Sequence, residues 1–233
     1  LDGYAEIDGD RVLRANMLSG DGDVTATGNL LAGGSIDIYS SDTTTFLGGD
    51  RIEAVDDITL HNDTVLDGGA LQKIKALTGQ LYTDGSVHKT TTGDLEMFGG
   101  YNGPLYPDMD YSVKTQDVTV DDGELSIAGN ATVKLEGSIY SKGKMTLASN
   151  VDGIASTPSQ APLSSSPYSY DYLIHYNGTI QSLNGDVDLS AQNSSISLDG
   201  GSNPTDAYVS AGGDILIRNY TWVQYDRKLD AGD

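Results

Sequence analysis

Asp56-Asp57 and Asp121-Asp122 are adjacent acids, and paired carboxylates are the working parts of enzymes that cleave polysaccharides by acid–base chemistry. That chemistry needs company: a Gly-His-Gly and an Arg-x-Lys near the pair, or a calcium cluster with a basic residue to abstract a proton. Neither companion motif occurs, and the 13 basic residues do not cluster near either pair in the sequence. Ser86-Val-His-Lys89 has the Ser-x-x-Lys spacing that sets a nucleophile beside its amine on one helical turn. Here it sits in a strand-like VHKTTT context, where positions three apart face opposite sides. His61, His88 and His175 show no zinc-ligand spacing with one another or with acids. No GxSxG, HExxH or phosphate loop is present. A non-enzymatic protein without a cofactor is the expectation.

Three further residue groups point to binding rather than catalysis. Asp8-Gly-Asp10 and Asp21-Gly-Asp23 are the best local candidates for Ca²⁺, a hard cation that takes six to eight oxygens. Neither has an EF-hand frame or a calcium-binding nonapeptide repeat, so solvated turns are the simpler reading. Tyr101, Tyr106 and Tyr111 form one aromatic group, and Tyr168, Tyr170, Tyr172 and Tyr176 another. Rings in such segments either stack on sugars or a protein partner, or fold back over exposed strands. Asn62, Asn130, Asn177, Asn193 and Asn219 head Asn-x-Ser/Thr sequons and are candidate glycosylation sites of an extracellular protein, although turn-rich chains also make such sequons by accident.

The formal net charge is −21, and only five of the 34 acids are Glu, the rest being Asp. Asp favours turns because its short side chain bonds to backbone N–H groups. A polyphosphate would be repelled, which excludes nucleic acid as a partner. No stretch approaches the roughly 20 apolar residues of a membrane span. There is no cysteine, as suits a prokaryotic surface protein that does without disulfides. No signal peptide is visible and the chain starts at Leu1, so a processed or trimmed product is expected.

These residues must be positioned by short strands. Val24, Leu30 and Ile36 step by six, and so do Ile52/Ile58, Leu81/Val87, Ile139/Met145 and Val209/Ile215; Ile180/Val187 step by seven. Between them lie mostly Gly, Asp, Asn, Ser and Ala. Alternating apolar and polar residues mark half-buried strands, and a turn every half-dozen residues marks a chain winding on itself. The expected fold is therefore all-β, a parallel β-solenoid (β-helix) with loop insertions. At about 20 residues per coil and 4.8 Å per step, it would be on the order of 50 Å long.

Residues 1–153 form the expected body, interrupted near 99–112 by a proline- and tyrosine-rich loop. Within that body, residues 70–77 lack turn residues and read as a short helix or a bulged strand. Residues 154–170 read as a Pro/Ser-rich linker or surface loop. Strands resume over 171–233 and end in an aromatic segment around Trp222 that would cap the stack or bind a neighbour.

GNLLAGGSIDI at 28–38, the segment 178–200 and YVSAGGDILI at 208–217 resemble the repeats of filamentous-haemagglutinin-type adhesins. GSIYSKGKMTL at 137–147 is similar to bactofilin-like polymer-forming repeats. The resemblance covers about half the chain and brings no catalytic residue with it. It implies a secreted right-handed β-helix engaged in surface adhesion or polymer formation, with itself or other surface proteins as partner. A carbohydrate-binding or polysaccharide-cleaving β-helix, with glycans as partner, stands as the alternative.

Overall fold

The computed structural model describes residues 5–7, 11–14, 22–101, 111–149, 172–176, 178–199, 208–224 and 228–232. Among these residues there is no helix, and every strand pairing is parallel. The strands fall into nine successive tiers. Strands β1 (Ala5–Ile7), β2 (Arg11–Arg14) and β3 (Val24–Thr27) make the first, and β4 (Leu30–Ala32) with β5 (Ile36–Leu47) the second. The third holds β6 (Arg51–Ala54) and β7 (Ile58–Asp67), and the fourth β8 (Leu71–Ala76), β9 (Leu81–Thr83) and β10 (Val87–Lys89). Strands β11 (Asp94–Gly99), β12 (Val113–Thr115) and β13 (Val118–Val120) form the fifth. The sixth holds β14 (Leu125–Gly129), β15 (Val133–Leu135) and β16 (Ile139–Ser141). The seventh holds β17 (Met145–Ser149), β18 (Tyr172–Tyr176) and β19 (Ile180–Ser182). Strands β20 (Val187–Asp199) and β21 (Tyr208–Ala211) make the eighth, β22 (Ile215–Gln224) and β23 (Lys228–Ala231) the ninth.

Strands of successive tiers pair in three columns. The first runs β1, β4, β6, β8, β11, β14, β17 and on through the first halves of β20 and β22. Register shifts within β5, β7, β20 and β22 let one long strand serve two columns. Within residues 70–77, open between a helix and a bulged strand, Leu71–Ala76 form the regular strand β8. Its alternation buries Gln72, Ile74 and Ala76.

Alternation places one set of side chains in a shared apolar core fed by all three columns. In the first column the register partners Leu30, Ile52, Ile74, Met97, Ile127, Leu147 and Leu189 are all buried. In the second, Ile36, Ile58, Leu81, Val113, Val133, Leu173 and Ile196 are buried likewise. Each such side chain contributes about 1.5–3 kcal/mol on removal from water. One row replaces aliphatics with small residues. Where the first column ends, Ala32, Ala54, Ala76, Gly99, Gly129, Ser149 and Ala191 keep the bend narrow. Gly49 is required by close approach: a Cβ there would lie 2.0 Å from the Gly28 carbonyl oxygen.

Residues 102–110 and 150–171, which hold most of the expected loop and linker, lie outside the described residues.

Candidate functional site

The turn aspartates bond across tiers. Asp57 Oδ1 accepts from Gln80 N at 2.7 Å, Asp94 Oδ1 from Glu124 N at 2.9 Å, and Asp117 Oδ1 from Ser138 N at 2.5 Å. Asp186 Oδ1 takes Asp214 N at 2.9 Å, and Asn29 Oδ1 takes both Asp50 N and Arg51 N at 2.9 Å. Asp63 Oδ1 receives Ser86 N at 2.9 Å and Ser86 Oγ at 2.8 Å. Those bonds, the backbone one first, hold the Asp63 carboxyl below its ordinary pKa. A short carboxylate at a bend reaches the orphan N–H of the bend stacked on it, which Glu is too long to do in the same geometry. The expected turn role of Asp therefore stands, but the N–H served lies one tier away rather than nearby in sequence.

Among the cation candidates, Asp23 is exposed and Asp23 Oδ1 accepts from Thr43 N at 3.2 Å. Asp8, Asp10 and Asp21 lie outside the described residues. Among the described residues, no three His, Cys, Asp or Glu side chains are placed to hold a metal ion.

Polar and aromatic side chains gather on the outward face of the second column. His61 lies between two carboxylates, with Nε2 3.2 Å from Asp37 Oδ1 and Nδ1 2.7 Å from Asp84 Oδ2. The Tyr39 ring, exposed, stands 5.7 Å from the imidazole. Further along, Lys114 is the register partner of Tyr82 on one side and Lys134 on the other. Its ammonium sits 5.1 Å from the Tyr82 ring centroid and 5.9 Å from that of Tyr111, a cation–π placement. Glu136 clamps both lysines, at 2.7 Å to Lys134 Nζ and 3.3 Å to Lys114 Nζ, and accepts from Gln116 Nε2 at 2.9 Å. Partial burial works to raise the Glu136 pKa, but its bonds to the two lysines and their charges outweigh it, and the net direction is down. The Tyr111 phenol is pushed up by burial first, then by Tyr82, Glu136 and Asp57. Flat rings beside ammonium groups suit the face of a sugar or a planar anionic group; they supply no nucleophile–base pair.

One of the two acid pairs gains basic neighbours that the linear sequence does not show: His88 Nε2 lies 2.9 Å from Asp121 Oδ2, and Lys142 Nζ 2.9 Å from Asp122 Oδ1, whereas Asp56 and Asp57 bond Thr78 Oγ1 and Gln80 N. Likewise His61 acquires acids that no local spacing announces, because tiers bring together residues separated by more than twenty positions. Ser86 and Lys89 are not brought together: Ser86 bonds Asp63, whereas Lys89 is fully buried. Lys89 Nζ donates to Gly69 O at 3.1 Å, Gln72 Oε1 at 3.2 Å and Thr91 Oγ1 at 3.0 Å. Alternation in the Val-x-Lys strand places this lysine in the interior, in the phase of Leu66 and Val120. His175 occupies a buried position too, with Nε2 2.8 Å from Gly137 O.

Of the sequons, Asn62 adopts the left-handed region at φ 63° and its Nδ2 donates to Ser40 O. Asn130 Nδ2 donates to Gly100 O at 3.2 Å. Both amides thus serve the fold. Asn193 and Asn219 fall in β20 and β22, and Asn177 lies outside the described residues. Of the aromatic group, Tyr111 joins the outward face, and Tyr101 O accepts from Ser112 Oγ at 3.0 Å. Tyr172 and Tyr176 fall in β18 and Trp222 in β22, while Tyr106, Tyr168 and Tyr170 lie outside the described residues.

No family model, curated protein or solved structure matches this chain.

Proposed function

We propose that the three columns close around their shared core into one parallel β-solenoid, and that the protein is a non-enzymatic structural subunit. It would build an extracellular filament, sheath or adhesin on a prokaryotic cell surface. The observation that carries this reading is the employment of the turn carboxylates, which stitch one tier to the next instead of converging on a reaction centre. Assembly would run through strand rows at the ends of the stack. In the last described tier, Leu229 continues the row of buried Val209 yet is 45% exposed, and Ile215 and Ile217 are only partly buried. A tier supplied by a second copy would cover all three and satisfy the open strand edges. Divalent cations such as Ca²⁺ would ease repulsion between the acidic exteriors at such contacts.

Electron microscopy of the purified 233-residue chain tests the reading. Ordered fibres that Leu229→Asp abolishes support it; wild-type monomers dispersed at every concentration overturn it. A second reading, a glycan-binding β-helix, is favoured by the Tyr82–Tyr111–Lys114 face. Dispersed monomers that bind glycans through that face, and lose them with Tyr82→Ala, would select it instead.

A further inference from the structure

Two rows of side chains run lengthwise along the outward face of the second column. In tiers two to six, Asp37, Thr59, Tyr82, Lys114 and Lys134 are successive register partners, each flanked by buried inward residues. Two positions further on in each tier stand Tyr39, His61, Asp84, Gln116 and Glu136. At about 4.8 Å per tier and about 3.3 Å per residue, the strip is about 19 Å long and its rows lie about 7 Å apart. Both rows consist of polar and aromatic residues alone. The equivalent row of the first column, by contrast, mixes Leu31, Phe98, Ala128 and Ala148 with Glu53 and Lys75.

The strip is close to neutral. Lys114 and Lys134 stand against Asp37, Asp84 and Glu136, within a chain of net charge −21. An acidic polymer gains nothing there and meets repulsion over the rest of the surface. What the strip offers is donors, acceptors and ring faces in close alternation. A pyranose is the complement, with hydroxyls at its rim and C–H groups on its faces. The platform lies at the centre, where the Tyr82 and Tyr111 rings stand 6.1 Å apart with the Lys114 ammonium against both. Either side of it the groups are held in advance. Asp37 and Asp84 fix His61, against which Tyr39 packs, and Glu136 fixes Lys114, Lys134 and Gln116. Side chains ordered before a ligand arrives lose little rotamer freedom on binding it. Asp84 accepts from Asn62 N as well as holding His61, yet a carboxylate has about four acceptor sites, and this one is partly exposed.

Length decides the orientation. Across the strands the strip is two side chains wide; along the stacking axis it is five tiers long. In an extended β-1,4-linked chain each sugar advances by close to one tier step, so successive pyranoses meet equivalent positions. An α-1,4-linked chain coils and leaves the strip after a unit or two. We propose that the outward strip of the second column binds an uncharged, extended β-1,4-linked glycan laid parallel to the stacking axis, one sugar to each of tiers two to six. This rests on the glycan-binding reading above and adds to it the linkage, the direction and the number of sugars held. The ends of the stack take no part, so the strip serves a monomer and a filament subunit alike.

Isothermal titration calorimetry of the full 233-residue chain with cello- and chito-oligosaccharides of two to six sugars tests the strip. In at least one series Kd should fall with each added sugar up to five and level off at six. Tyr82→Ala, at the centre, should weaken every length about tenfold, the size of one lost stacking contact, whereas Tyr82→Phe should keep most of the binding. Tyr39→Ala, at the far end, should weaken the pentasaccharide severalfold and leave the disaccharide unchanged. Far-UV circular dichroism checks that each variant is folded. One Kd for all lengths, or binding of malto-oligosaccharides alone, overturns the axial strip while the glycan-binding reading survives. No binding of either β-1,4-linked series overturns it too; other sugars retained on a glycan array through Tyr82 would then uphold the glycan-binding reading by itself.

Discussion

Asp63 offers the sharpest test of why this chain carries so much Asp. Its Oδ1 receives both Ser86 N at 2.9 Å and Ser86 Oγ at 2.8 Å, while the residue itself is exposed. Asp63→Ala removes both acceptors. Net hydrogen bonds are worth about 0.5–1.5 kcal/mol each, and water can partly replace them at an exposed bend, so a loss of about 1–2 kcal/mol is expected. Against this, one charge fewer on a chain of net −21 relieves some self-repulsion. Asp63→Asn separates the two effects, because it keeps the Oδ1 acceptor and removes the charge. At this chain length 1 kcal/mol moves Tm by about 2–4 °C, so Asp63→Ala should lower Tm by about 3–6 °C and Asp63→Asn by little. Thermal and urea unfolding read both variants. The pH arm has a definite sign. The folded pKa lies below the ordinary 3.8, so the stabilisation from ionised Asp63 is present above that value and is lost as pH falls through the folded one. Any advantage of the native chain over Asp63→Asn should therefore shrink below about pH 4. Equal effects of the Ala and Asn variants, or a gain in Tm from both, would refute the idea that turn carboxylates are tier-to-tier acceptors.

At Asn62, whose φ is 63° and whose Nδ2 serves Ser40 O, Asn62→Gly keeps the backbone and loses the bond. Asn62→Val loses both, and should cost about 1–3 kcal/mol more in chemical denaturation. Because Nδ2 is engaged, folded protein from a glycosylating host should carry no glycan at Asn62, which glycopeptide mass spectrometry checks. Burial pushes the Lys89 pKa down against the opposing pull of Asp67, Asp94 and Asp50. The unfolded chain then binds more protons between the folded value and the ordinary 10.5, so stability should rise with pH across that window. That slope should be weaker in Lys89→Met.

The strands were legible wherever an aliphatic pair framed a Gly/Asp bend, as at Ile52/Ile58 and Leu81/Val87, because period-2 burial writes itself locally. Residues 70–77 defeated that reading because tier four buries Gln72 where other tiers bury Leu95 or Leu125, so the apolar alternation is broken at its first position. The outward face of the second column was nearly invisible. Tyr82, Lys114 and Lys134 become neighbours only through register, and Asp37, His61 and Asp84 only through tiers, so no linear spacing announces either group. Tyr111 was found through its aromatic neighbours in sequence, yet its contacts are with Tyr82 and Lys114. Asp was read correctly as a turn residue; where its hydrogen bonds end depends on chain reversal over a whole tier, which composition does not encode.

The chain segments joining the first column to the second differ greatly in length from tier to tier. Residues 130–132 suffice between β14 and β15, whereas 100–112 intervene between β11 and β12 and 150–171 between β17 and β18. The ladders on either side keep their register regardless. That edge behaves like a mounting rail: peptide of arbitrary size can be grafted there without retuning the parts beneath. A tag or epitope belongs in one of the two long segments, since between β14 and β15 both Ala131 and Thr132 are buried and Ala131 N donates to Ser112 Oγ.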